Sequence, residues 1–96
     1  MIIRKDLPVG VQLAQTVHAA GESVIFKLPP ETHAVVLAAR SEEELLLIEQ
    51  RLLKAAIPHR SIREPDMNNC LTAIGLVPSK KTKEIKQVLS QLSLLK

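Results

Sequence analysis

The side chains able to take part in acid–base or acyl-transfer chemistry lie in two short stretches of the chain. Near the start, Gln15 and His18 stand one helical turn apart in a run of small and apolar residues. An imidazole titrates close to neutrality, so His18 suits a general acid or base, or a group that binds phosphate or ribose. A helix histidine that merely packs and hydrogen bonds is the commoner case. The second stretch is the polar loop holding Glu64, Asp66, Asn68 and Asn69, followed at once by Thr72. A carboxylate in that loop can orient a water or accept a proton, although Asp and Asn also serve turns through local backbone bonds. The Thr72 hydroxyl can donate to a carbonyl or an oxyanion, and threonine is equally at home in any strand. His33 and His59 have no ligand-like spacing to His18 and read as surface or strand residues. Cys70 has no partner in the sequence and reads as a packing residue. Lys80, Lys81, Lys83 and Lys86 form a basic cluster that fits either a nucleic-acid backbone or a solvated helix face. There is no glycine-rich phosphate loop, metal-spaced cluster or nucleophile elbow, so no metal and no cofactor are expected.

These groups need elements to position them. Met1, Ile2 and Ile3 have the continuous apolar character of a buried strand. Arg4, Lys5 and Asp6 end it, and Pro8 suits the opening of a helix. In that helix Leu13, Val17, Ala20 and Val24 share one face, and Val11, Ala14, Gln15 and His18 a neighbouring one. Gln15 and His18 are thus expected beside the apolar stripe. A strand end feeding a helix N-terminus is a natural ligand or anion site in α/β folds. The helix fades between Gly21 and Lys27, and the prolines 29 and 30 break the chain. Residues 33–39 are apolar on both faces, as in a central strand. Ser41 with Glu44 is a capping box. It opens a helix to about Ala56 whose inward residues are Leu45, Leu46, Ile48, Leu52 and Leu53. Residues 58–63 read as a strand near an edge, 64–69 as a turn, and 71–77 as the last strand. A final helix is expected from about Lys80 to Leu92, with Ile85, Val88, Leu89 and Leu92 inward. The order predicts one α/β domain over residues 1–96 with a four-stranded mixed sheet.

Composition narrows the function. A chain of 96 residues is one domain with a small stability margin that a dimer would help. Phe26 is its only aromatic residue, which nearly excludes stacking of bases on aromatic platforms. A net charge of +3 permits phosphate contacts without demanding them. The single cysteine excludes an intramolecular disulfide. With no signal segment and no long uncharged apolar run, the sequence predicts a cytoplasmic protein without membrane partners.

The opening Arg4, Asp6, Leu7, Gly10, Ala14, Gln15, His18 and Ala19 resembles the first motif of the type II peptidyl-tRNA hydrolase family. The acidic helix start at Glu42, Glu43, Glu44 and Leu45, then Ile62-Arg63-Glu64, and finally Thr72-Ala73-Ile74-Gly75 with Pro78, continue the resemblance in order. The family cleaves the ester joining a peptide to the terminal ribose of tRNA. The resemblance implies a three-layer α/β/α sandwich, tRNA as partner, and a homodimer. Carried over by position, it implies Gln15 and Thr72 as site residues, with Glu64, or Asp66 close by, at the family's aspartate. Asn68 stands at the loop threonine. Lys5 and Gly10 are the substrate-side residues of the first motif. The family's usual lysine after the glycine is replaced by Val11, which can neither hold a phosphate nor stabilise negative charge.

Two functions are compatible with these residues. The first is an esterase in which Glu64, Asp66 or His18 prepares a water while Thr72 or backbone amides hold the oxyanion. The second is a member that has lost catalysis and binds tRNA or a protein through the same cleft and the lysine-rich helix.

Overall fold

The fold is described from a computed structural model, which places residues 1–28, 30, 34–79 and 82–95. The elements are β1 (Ile2–Arg4), α1 (Val9–Ser23), β2 (Leu37–Ala39), α2 (Glu42–Lys54), β3 (His59–Glu64), a 3-10 turn (Pro65–Met67), β4 (Cys70–Leu76), α3 (Thr82–Leu89) and β5 (Ser93–Leu94). They build one mixed sheet in the order β3-β4-β1-β2-β5. β1 and β2 run parallel, and the other neighbouring pairs are antiparallel. The α/β class is as expected, but the sheet has five strands instead of four. The extra strand is β5, two residues just beyond the expected end of the last helix near Leu92, where the sequence reading assigns no element. α3 therefore stops at Leu89. Two residues are too few for a period-2 signal to stand out against helical spacing.

Strand alternation divides the core. Ile2 and Ile74 meet Leu45, Ile48 and Leu52 of α2, with Ile85, Val88, Leu89 and Leu92 packed against them. Ile3 and Ala73 join Ala19 of α1 and Ile62. Leu46 and Leu53, expected inward, are exposed. α2 opens as anticipated, with Ser41 Oγ accepting from Glu44 N at 3.3 Å. The Glu44 carboxylate, however, reaches the backbone N–H of Arg40 at 2.9 Å and its guanidinium.

The first helix sits differently from the expectation. Its buried residues are Gln15, Ala19 and Ser23, whereas Leu13 and Val17 face solvent. The cause is close packing on β4. A Cβ added at Gly75 would lie 2.4 Å from Ala19 O and 2.9 Å from Ser23 Oγ. Only small side chains fit under a helix that near the sheet, so Ala19 and Ser23 turn inward and the bulky residues turn out. Gly10 and Gly21 meet nothing within 4 Å at the position of a Cβ. Each therefore weakens α1 by up to about 1 kcal/mol relative to alanine, with no packing reason among the described residues.

The ladder between β3 and β4 has one irregularity. Ile62 pairs with Ala73, but Arg63 pairs with Leu71, so Thr72 is an extra residue in β4. This β-bulge turns Thr72 and Ala73 to the same side of the sheet as α1, while Leu71 and Ile74 face α2. In an uninterrupted strand Thr72 would point away from its neighbour Ala73.

Candidate functional site at one edge of the sheet

β1, β2 and β3 all end at one edge of the sheet, and β4 starts there. α1 and α2 follow β1 and β2 directly, so both helix N-termini rise from the same edge. In open α/β sheets this is where ligands bind.

A polar chain is buried there. Thr72 is 0% exposed and Gln15 only 7%. The Thr72 hydroxyl lies 2.9 Å from Gln15 Oε1 and 3.2 Å from the carbonyl of Ile62. Gln15 Nε2 donates to Glu64 Oε2 at 3.2 Å. The other carboxylate oxygen, Glu64 Oε1, accepts the backbone N–H of Asp66 at 3.4 Å. Three elements thus supply one relay: α1 brings Gln15, the bulge in β4 brings Thr72, and the end of β3 brings the half-buried Glu64. Asn68 and Asn69 follow in the left-handed conformation, both with φ 57°. Asn and Asp accept that conformation more readily than most residues. The N–H of Asn69 closes the loop on Glu64 O at 3.0 Å.

Charged groups surround the relay. Arg4 donates to Asp6 through Nε (3.0 Å) and Nη2 (2.8 Å), and to the carbonyl of Leu71 through Nη1 (3.2 Å). The hydrogen bond from Arg4 holds the Asp6 carboxyl below the usual carboxylate range. Glu42 accepts the N–H of Leu71 at 2.7 Å, so both backbone groups at the start of β4 are held by side chains. On the far side of β3, Arg63 binds Glu49 at 2.9 and 3.0 Å, and Ser61 also donates to Glu49. Chiefly through Arg63, the buried Glu49 carboxyl is likewise held low. On the β2 side, Lys5, Arg40, Glu44, Gln91 and Ser93 line an open groove of about 260 Å³. Asp6 pairs with Arg4 and Glu44 with Arg40, whereas Lys5 acts on Glu44 only through space.

The described residues bring some of the candidates together and leave others apart. Gln15, Glu64 and Thr72 meet. Asp66 is exposed and contributes its backbone N–H. Asn68 is exposed on the adjoining turn, and Gly10 is exposed in the first turn of α1. His18 lies on the exposed flank of α1, with Nε2 3.7 Å from Glu22, and does not join the relay. Its distance from the relay follows from the rotation of α1 that buries Ala19. Lys5 lines the groove, on the other side of β1 from Thr72. Val11, one turn before Gln15, is partly buried. His59 is on the edge strand with Nδ1 2.8 Å from Ile57 O. His33, Lys80 and Lys81 lie outside the described residues, and Lys83 and Lys86 are exposed on α3. A larger groove of about 420 Å³ between the end of α2 and α3, near Arg51, Lys54 and Gln87, is separate from the relay. No group of three or more His, Cys, Asp or Glu among the described residues is arranged to hold a metal ion. Sequence reasoning misses the clamps Arg4–Asp6 and Glu49–Arg63; the Arg-x-Asp spacing at residues 4–6 is the available signal for the first.

Residues 1–95 match the family described as Peptidyl-tRNA hydrolase PTH2. The chain belongs to that family. No curated protein matches it. Membership in the peptidyl-tRNA hydrolase family associates the fold with peptidyl-tRNA as substrate and with translation. No helix among the described residues is long and apolar enough to cross a membrane.

Proposed function

We propose that the protein hydrolyses the ester between a peptide and the terminal ribose of tRNA, with Glu64 as the catalytic base. The observation that carries this reading is the Thr72–Gln15–Glu64 relay. A glutamine with both ends of its amide committed inside an apolar helix–sheet contact holds one carboxylate oxygen in a fixed direction at the ligand-binding edge. Such positioning is what a general base needs. Glu64 takes a proton from water as the water attacks the ester carbonyl carbon. The bond between the carbonyl carbon and the ribose oxygen then breaks, and the proton held by Glu64 passes to that oxygen, which restores the carboxylate. Asn68 supplies a side-chain amide to the carbonyl oxygen as it gains charge. Lys5 attracts a terminal phosphate of the tRNA. Thr72 and Gln15 are positioning residues, because the Thr72 hydroxyl is fully buried and its proton is committed.

The test is peptide release from N-blocked aminoacyl-tRNA. The wild-type protein releases peptide, Glu64→Gln releases at least about a hundredfold less, and both keep the same circular dichroism. Val11 favours the second reading, a member that binds tRNA without cleaving it. Absence of release by the wild type at high enzyme concentration, together with retained tRNA binding, would establish that reading instead.

A further inference from the structure

β3 is the outermost strand on the Glu64 side of the sheet, and no strand among the described residues lies beyond it. Its inner side is fixed by its contacts. Pro58 O accepts the N–H of Val77 at 3.1 Å, Glu64 O accepts the N–H of Asn69 at 3.0 Å, and Ile62 O accepts the Thr72 hydroxyl at 3.2 Å. The even-numbered residues here therefore turn their peptide groups toward β4. Peptide groups alternate in direction along a strand, so those of His59, Ser61 and Arg63 point outward. None of these outward groups has a hydrogen-bond partner among the described residues. Pro58 and Pro65 bound this open edge, which ends at Glu64 itself.

We propose that the edge binds the peptide part of peptidyl-tRNA as an added, extended strand. The proposal rests on the hydrolase reading for its ligand and for the place of the ester. With the ester carbonyl carbon at Glu64, the peptide runs back toward His59, its N-terminus farthest from the site, and so lies parallel to β3. Lys5 follows β1, which is separated from β3 by β4. The two halves of the substrate then leave the ester in opposite directions, the tRNA across β4 toward β1 and the peptide along the open edge. Main-chain hydrogen bonds supply affinity without reading side chains, so a peptide is held whatever its sequence. The edge also carries Arg60 and Arg63. Charges of this kind discourage pairing with another sheet edge and leave a free peptide as the occupant.

The test is binding of tRNA whose terminal ribose carries the peptide through an amide in place of the ester, so that no cleavage intervenes. The wild-type protein should bind tRNA carrying an N-acetyl tripeptide about tenfold or more tightly than tRNA carrying one N-acetyl residue, and different tripeptide sequences should behave alike. Methylating the peptide nitrogens removes the donors to the outward carbonyls and should abolish the gain on an unchanged protein. Ser61→Pro removes an outward donor that the ladder does not use and should cut the gain by about threefold or more. Ser61→Ala also loses the contact with Glu49 but keeps that donor, and should retain the gain. The methylated peptides decide the matter if circular dichroism shows that Ser61→Pro does not fold. Equal affinity for the two tRNAs, binding of neither, or a gain that survives methylation or a folded Ser61→Pro overturns the proposal. Release from the corresponding esters without such a gain keeps the hydrolase reading and overturns the peptide edge. A gain that methylation abolishes, without release from the esters, keeps the peptide edge and overturns the hydrolase reading alone.

Discussion

Thr72→Val isolates the relay, because valine has the shape of threonine and lacks only the donor. Thr72 is fully buried and Gln15 nearly so, so water cannot replace the lost hydroxyl. Gln15 Oε1 is then a buried acceptor without a donor, and the carbonyl of Ile62 loses its contact at 3.2 Å. Leaving a buried polar group unmatched costs about 1–3 kcal/mol. For a domain of this size that corresponds to a fall in Tm on the order of 10 °C. The chain has no Trp or Tyr, so unfolding in urea should be followed by circular dichroism. Gln15→Met removes the other partner. The double variant should recover part of the loss, with a coupling of about 0.5–3 kcal/mol. Peptide release by Thr72→Val should fall with the fold intact, through a Glu64 that is less well held. A loss under about 0.5 kcal/mol, or strict additivity in the double variant, would show that the three side chains do not act as a unit.

Gly75→Ala should destabilise the protein by about 1–3 kcal/mol or more, because the added methyl would lie 2.4 Å from the carbonyl of Ala19; denaturation midpoints measure this. The Glu49 carboxyl is held below its ordinary value of 4.5, first by Arg63 and also by Ser61. Its contribution to stability is therefore complete above pH 4.5 and disappears as pH falls through the lowered value in the folded protein. Glu49→Gln should lower stability at neutral pH and flatten the acid limb of a stability profile; an unchanged acid limb would count against the clamp. Val11→Lys places a cation one turn ahead of Gln15. It should raise kcat/KM for peptidyl-tRNA by about tenfold or more, measured by the same release assay.

Much of the fold is legible in the residues, for reasons that differ from place to place. The α2 start at Ser41 and Glu44, the turn after Glu64 and the strand at 70–76 rest on local chemistry, and local chemistry survives folding. The rotation of α1 does not. Leu13 and Val17 make the stronger apolar stripe, but the distance at which Gly75 lets the helix approach decides which face turns inward, and that is a tertiary fact. The same cause separates His18 from Gln15 and Glu64. Within the candidate site, Gln15, Glu64 and Thr72 are visible as residue types. Their meeting is not, because it depends on one extra residue in β4, and a bulge leaves no trace in hydrophobic periodicity. The Arg4–Asp6 pair has a local signal, whereas the hold of Arg4 on Leu71 O and of Arg63 on Glu49 has none, because those partners are remote in sequence.

The bulge at Thr72 has a bearing on how this chain tolerates change. A strand reads residue number by parity: odd positions serve one face and even positions the other. The extra residue reverses that parity part-way along β4, so residues on its two sides obey opposite rules. Substitutions at Cys70 or Leu71 keep the count and leave the Thr72 hydroxyl facing Gln15. Deleting either one would restore a continuous ladder and slide a different residue into each place before the break. Length in this segment is therefore held more tightly than identity, and a comparison that aligns β4 with an unbulged strand would pair every residue before the break with one from the wrong face.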